Sequence, residues 1–361
     1  MRPIIISLLA CILSNYSDLY GQITEKNWSE VVYKMPKSWY GSEEAIRIAE
    51  NLLIAQKSIG GWEKNKPYHK MLSTQEKIQY HDSKNKLGAT FDNGATTSEM
   101  LFLAKVYGQT RKESFRVAFN KGLDYIYLSQ YKNGGWPQFF PVRTGSVQYS
   151  AHITYNDDAM VNIMKFLKKV YTNDSDITPL ELSQLDKERA LKAYRNGIRC
   201  ILDTQILVNG KPTVWCAQHD EKTLLPAQAR SYELPSFSGS ESVGIVNLLL
   251  QEEYPSQRIK EAVQGAMIWF ESHKIEGIRI ETETTAQNTK NRVVVTDPDA
   301  PAVWARFYDL ETAQPFFCDR DGIKKKSLAE IGDNRRNGYS WYTSRPASLY
   351  SQYALWKEKF N

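Results

Sequence analysis

The sequence predicts a mainly α fold, an α/α toroid of repeated helical hairpins with a small β region near residues 275–320. Three observations predict it. The first is a repeat: Leu52-Leu53 to Gln56 leads into Gly60-Gly61-Trp62, Tyr125 to Gln130 into Gly134-Gly135-Trp136, and Ile201-Leu202 to Gln205 into Gly210 and Trp215. Each unit reads as a helix, a glutamine and a glycine-bearing turn that ends on tryptophan, with the glycines supplying positive φ past the helix end. The second is an inner helix after each turn. Ala95 to Tyr107 aligns with Ala159 to Tyr171 at an offset of 64 residues, and both space their apolar residues at i, i+3, i+4 and i+7. Ser242 to Leu250 takes the third such position, and Ile259 to Phe270 reads as the next outer helix. Hairpins repeated in this way bury their faces against their neighbours, which closes most naturally into a toroid. The third is a change of pattern. Gly277 to Ile280, Arg292 to Val295, Val303 to Tyr308 and Gln314 to Cys318 are β-like, and a last helix is expected over about Ala347 to Lys359.

Composition narrows the function. A chain of 361 residues is long enough for a substantial core, and 46 basic against 41 acidic residues leave a net charge of only +5. That balance excludes the signature of a nucleic-acid binder and leaves a weak hint of an anionic partner. Met1-Arg2 followed by the apolar run Ile4 to Leu13 reads as an export signal, too short to span a membrane, with cleavage expected after Gly21. The expected product is a secreted or periplasmic single domain over 22–361, and lipid attachment at Cys11 is the lesser expectation. Removal of the signal leaves Cys200, Cys216 and Cys318, with no C-x-x-C pair and no histidine spacing that suggests a zinc site.

The aligned helix starts carry the candidate chemistry. Phe91-Asp92-Asn93-Gly94 precedes one helix and Tyr155-Asn156-Asp157-Asp158 the other, so Asp92 aligns with Asn156 and Asn93 with Asp157. Acidic oxygens at a helix start serve as caps, whereas a doubled Asp/Asn pair at matching repeat positions also suits a hard cation such as Ca²⁺. Arg143, Arg230 and Arg306 lie in or beside loops, and Arg306 interrupts the aromatic stretch Trp304 to Tyr308. A cation there needs an anion or a ring face. A structural salt bridge, to Asp309 or Asp321, is as consistent with that position as a catalytic role. Calcium together with arginines implies a carboxylate-bearing substrate.

Gly134 to Pro141 (GGWPQFFP), His152 to Asp157 (HITYND), Asp92 to Thr97 (DNGATT) and Trp304 to Tyr308 (WARFY) resemble the pectate lyases of polysaccharide lyase family ten. Ala229 to Glu233, Asp319 to Gly322 and Arg336 to Tyr342 fit the same family, and the resemblance runs from about Trp28 to Phe360. It implies an incomplete α/α toroid that cleaves polygalacturonate and pectate oligosaccharides by β-elimination, with Ca²⁺ bridging enzyme and substrate and no nucleic-acid or membrane partner. It implies calcium-associated positions at Asp92, Asn93 and Asp157, and a substrate-carboxylate arginine, counted with the catalytic residues, at Arg230. The base is expected at Arg306, with Arg320 as its rival. Arg143, Arg292, Arg320, Trp136 and Tyr232 are expected to contact the sugar, and the protein to act as a monomer. Two other readings stay open: a glycoside hydrolase pairing Asp157 with Asp92 or Glu241, and a silent sugar binder that stacks rings on Trp62, Trp136 and Tyr232.

Overall fold

A computed structural model describes residue 23 and residues 25–360. The expected export signal, residues 1–21, and Cys11 lie outside the described residues. The described chain is mainly helical, and its backbone gathers into two compact units. The first comprises the described residues up to Ser129 together with Phe166–Leu191, and the second comprises Gln130–Lys165 and residues 192 onward.

The helices follow the expected periodicity closely. They run Glu43–Ala55, Thr97–Thr110, Glu113–Ser129, Ala159–Tyr171, Gln184–Thr204, Glu241–Leu250, Gln257–Ser272 and Leu349–Phe360, with shorter ones between. Local capping fixes several starts: the Ser42 side chain accepts from Ala45 N, Ser256 from Ile259 N, and Ser73 forms a reciprocal capping box with Glu76. Helix Thr74–Ser83 has no buried residue, which is why no apolar stripe announced it.

The glutamine of each repeat has a mechanical role. Gln56 Nε2 donates to Gly60 O at 2.8 Å and to Ala118 O at 2.9 Å. Gln130 does the same to Gly134 O (3.0 Å) and Ala193 O (2.9 Å), and Gln205 to Thr213 O (2.8 Å) and Ala262 O (2.9 Å). One side-chain amide therefore closes the turn after its own helix and satisfies a carbonyl on a helix further along the chain. The tryptophans complete the motif from inside: Trp62 Nε1 donates to Leu52 O and Trp215 Nε1 to Ile201 O, each on the preceding helix. Glycine is required at the tightest point. At Gly134, φ is +98°, and a Cβ would stand 2.0 Å from Asn196 O.

Three repeat tryptophans, Trp62, Trp136 and Trp215, are wholly buried. The aromatic surplus thus belongs to the core, and this corrects the expectation that Trp136 (or, in the sugar-binder reading, Trp62) presents a face to a sugar. A ring that ends a closed turn against its own helix has no side left for a ligand.

The strands are short, and all named pairs among the described residues are antiparallel and two-stranded. Ile278–Thr284 pairs with Lys290–Thr296 as a hairpin in the expected β region. Trp304–Ala305 pairs with Tyr342–Thr343, and Phe307–Tyr308 with Phe237–Ser238. Arg306 thus lies between two strand pairings whose partners come from distant parts of the chain. Ile153–Thr154 pairs with Gln218–His219, which sets the loop that follows.

Two consequences can be measured. Gln205→Ala orphans two buried carbonyls and should cost about 2–3 kcal/mol of unfolding free energy in a urea titration. Glu99, buried in helix Thr97–Thr110, accepts a 2.7 Å bond from Trp28 Nε1, yet burial pushes its carboxyl up to about 7 despite that bond. A raised acid stabilises fully below its unfolded value near 4.5, and the contribution is lost as pH rises through 7. About 3 kcal/mol should therefore disappear across that window, and Glu99→Gln should flatten it in pH-dependent denaturation.

Candidate active site

The loop Asn156–Asp158 is built from the ladder before it. Tyr155 N and Asn156 N both donate to Ala217 O (2.9 and 3.0 Å), and the buried Tyr155 hydroxyl meets Thr204 Oγ1 at 2.7 Å. Asp157 then takes a left-handed conformation, φ 52° and ψ 32°. The aligned residue Asn93 has φ 53° and ψ 32°, so the 64-residue alignment is also a match of backbone geometry. Asn and Asp tolerate this region better than other side chains, which explains why the pair alternates there. Asp158 follows, again with positive φ; its Oδ2 accepts from Arg345 Nη2 at 2.7 Å, while Oδ1 is buried with no hydrogen bond. Gly244 makes room for it, because a Cβ there would lie 2.1 Å from Asp158 Oδ1.

Arg306 is the centre of the second unit's polar cluster. Its side chain is only 9% exposed, and Nη2 donates to Asn156 Oδ1 at 3.1 Å, pairs with Glu241 Oε1, and lies 3.8 Å from Asp157 Oδ1. Glu241 opens helix Glu241–Leu250, where an acid is favoured by the helix dipole, and its other oxygen is held by Ser238 Oγ. Ser238 Oγ also accepts from Glu241 N at 3.0 Å. Burial alone would lower the Arg306 pKa, but Glu241, Tyr339 and Asp157 outweigh it and the guanidinium is held more firmly protonated than usual. The salt bridge expected as an alternative at this position exists, with Glu241 rather than Asp309 or Asp321.

A second arginine shares the same aromatic ring. The Tyr339 ring lies under Arg306 at 4.5 Å and within 5.8 Å of Arg230, and its hydroxyl donates to Glu233 Oε1 at 2.8 Å. Arg230 grips Glu233 through both Nε (2.7 Å to Oε2) and Nη2, in a bidentate fork. Burial raises the Glu233 carboxyl, yet the bonds and charge of Arg230 overcome this and hold it low; the same pair holds Arg230 protonated against its own burial. The Arg230 side chain is 42% exposed, and Nη1 makes no hydrogen bond among the described residues.

The other expected residues are spread more widely. Tyr232 is buried between the guanidiniums of Arg230 (4.8 Å) and Arg335 (4.6 Å), so it supports cations instead of stacking on a sugar, a correction to its expected role. Arg292 donates to Tyr339 O at 2.8 Å and steadies that ring's backbone. Arg320 lies at the surface, 3.4 Å from Asn334 Oδ1, away from the Arg306 cluster's hydrogen bonds. Arg143 stacks on Phe139 at 3.6 Å. In the first unit, Asp92 is buried, with Oδ2 paired to Lys64 and Oδ1 without a hydrogen bond; Asn93 Nδ2 donates to Asn65 Oδ1 at 3.0 Å. Glu233, Tyr339, Arg345 and Lys64 received no role from the sequence. Only the Arg230/Glu233 spacing and the Ser238/Glu241 capping pattern carried a local signal.

The pectic acid lyase family model matches residues 56–350. No curated protein matches the chain. Among solved structures, a family 10 polysaccharide lyase from Cellvibrio cellulosa is 33% identical, with a TM-score of 0.76 over 91% of this chain and 95% of that one. An Asp-to-Ala variant of the family 10 lyase from the same organism, in complex with trigalacturonic acid, is similar to the same degree. This likeness carries the α/α-toroid fold class expected from the repeats. With the match covering most of its length, the chain belongs to the pectic acid lyase family.

Proposed function

We propose that this chain is an exported, monomeric pectate lyase that cleaves α-1,4-linked polygalacturonate by calcium-assisted β-elimination. The observation that carries the reading is the pair of arginines on one tyrosine, Arg306 buried and Arg230 open, beside the oxygen-lined loop 156–158. The family 10 relative bound to trigalacturonic acid supports the substrate class. The apolar run Ile4 to Leu13 supports export.

The residues present fit calcium. The donors are carboxylate and amide oxygens, which suit a hard cation, and Asp158 leaves one buried oxygen unsatisfied. Asp157, with its left-handed backbone and half-exposed carboxylate, is the proposed ligand in the second unit. Asp92, assisted by Asn93, keeps the same assignment in the first unit, where its Oδ1 is also buried and unsatisfied. When bound, calcium neutralises a galacturonate carboxylate and favours the negative charge that builds as the C5 proton leaves.

The base must reach C5–H, and accessibility separates the two arginines. Arg306 is enclosed and its Nη2 is engaged by three oxygens, so we assign it to hold Asn156, Asp157 and Glu241 in place. We assign the proton transfer to Arg230, in place of the Arg306 expected from sequence. Arg230 takes the C5 proton, the electron pair forms the C4–C5 double bond, and the C4–O bond breaks; the fragment on the non-reducing side leaves with the glycosidic oxygen, which takes a proton from solvent, and the unsaturated sugar stays on the other fragment. The Glu233 carboxylate that holds Arg230 protonated is shared with the Tyr339 hydroxyl. To act as the base Arg230 must first lose a proton to solvent, and Arg335, stacked on the same Tyr232 ring, is the neighbouring cation that would favour that loss. Arg320, Arg292 and Arg143 remain the proposed outer contacts for substrate carboxylates.

Incubation with polygalacturonate should give an ultraviolet absorbance rise that a chelator abolishes and calcium restores; no such rise overturns the reading. Asp92→Ala and Asp157→Ala should each raise the calcium needed for half-maximal rate. Arg230→Ala should lower kcat about a thousand-fold, with a stability cost as well because the nearly buried Glu233 loses its partner. Arg306→Ala should cost about 3–5 kcal/mol in unfolding, because Glu241 is left buried without its partner. Near-normal turnover in Arg230→Ala would show that the base lies elsewhere. Mass analysis of the exported protein should find Gln22 at its N-terminus.

A further inference from the structure

Outside the lyase cluster, His152, Asp220 and Glu221 bring one ligand atom each to within 4.8 Å of one another. The strand register explains why. Ile153 pairs with His219 and Thr154 with Gln218, so the next antiparallel step sets His152 opposite Asp220 at the ladder's open end. The loop that supplies the carboxylates is tied down on every side. Asp220 Oδ1 accepts from Lys222 N (3.0 Å), Thr223 N (2.7 Å) and Thr223 Oγ1 (3.0 Å). Asn133 Nδ2 holds Glu221 O at 2.8 Å, and the buried His219 bridges Cys216 N and Leu224 O.

Three donor atoms are left over from this network. Asp220 Oδ2, Glu221 Oε1 and His152 Nε2 make no hydrogen bond among the described residues. His152 Nδ1 and Glu221 Oε2 are hydrogen-bonded to each other at 3.0 Å, a contact that an ion could take over by replacing the shared proton. The side chains of His152 and Glu221 are 21% and 23% exposed, shielded enough to be ordered and open enough for an ion and its waters to enter.

We propose that His152, Asp220 and Glu221 form a second metal site, selective for a borderline divalent transition ion such as Zn²⁺ or Co²⁺ over Ca²⁺. One imidazole and two carboxylates is a donor set such ions take readily, completed by water, whereas calcium prefers oxygen alone. The ion clamps the open end of the ladder to the 219–224 loop. Its place is structural: Thr154, the ladder's other end, leads directly into Tyr155 to Asp158, so the clamp steadies the backbone that presents Asp157.

The test is metal binding to the full chain, stripped with chelator and then held in excess Ca²⁺ so that hard-oxygen sites are filled. Titration with Co²⁺ followed by visible absorption, and with Zn²⁺ by calorimetry, should saturate at one equivalent and raise the melting temperature. His152→Ala and the isosteric Glu221→Gln should each weaken binding by about tenfold or more and remove the melting shift, and Asp157→Ala should retain both. If His152→Ala does not fold, Glu221→Gln decides alone. Absence of a saturable equivalent, its displacement by calcium, or unchanged binding in Glu221→Gln would each overturn the site. None of these readouts depends on lyase activity.

Discussion

A buried guanidinium has to be answered by acceptors, and Arg306 shows how much structure that requirement commits. Its position between two short strand pairings fixes the backbone, since Trp304–Ala305 and Phe307–Tyr308 each take a partner from elsewhere in the chain. The charge then calls for Glu241 at a helix start, Asn156 in the opposite loop, and Tyr339 against its face. Removing Glu241 would leave a desolvated guanidinium without its counter-charge, a cost of several kcal/mol that Asn156 and Tyr339 would not offset. The cluster is therefore cooperative: the oxygen-bearing loop, the helix start and the strand crossing hold one another in place.

Around that centre, aromatic rings serve polar ends. Tyr232, Phe307, Phe317 and Trp341 belong to one buried cluster, with Tyr339 packed against it. The faces and hydroxyl of Tyr339 meet Arg306, Arg230 and Glu233, while its carbonyl takes Arg292. A tyrosine suits this place because it buries a large apolar surface and still offers a π face to cations and a hydroxyl to a carboxylate. Phenylalanine at 339 would keep the packing and leave Glu233 with Arg230 alone, strengthening the very pair that keeps Arg230 protonated.

Features set by local backbone demands were legible in the sequence. The Gln–Gly–Trp turns, the helix Ala159–Tyr171 and the alignment of Asn93 with Asp157 each follow from spacing and residue type over a dozen residues, while the left-handed backbone the two share appears only in the structure. What was hidden depends on distant partners. Glu233 and Tyr339 are 106 residues apart, and Arg306 and Asn156 are 150 apart. No periodicity reports such a pairing. Trp136 and Tyr232 were misread for the opposite reason: composition marks rings as available, but only packing shows which faces are already covered.

Charge balance gives the cluster a direction. Arg306, Arg230 and Arg345 answer Asp157, Asp158, Glu233 and Glu241, so the directly paired set carries three cations against four carboxylates. Arg292, Arg320 and Arg335 lie outside that set, bound to a carbonyl, an amide oxygen and a tyrosine face. A polyanionic chain would be drawn to the outer arginines and repelled by the inner acids. A divalent cation among those acids reverses the inner sign, from one negative charge in excess to one positive. On the proposed reading, calcium would act before chemistry begins, by making the inner site more favourable to a carboxylate.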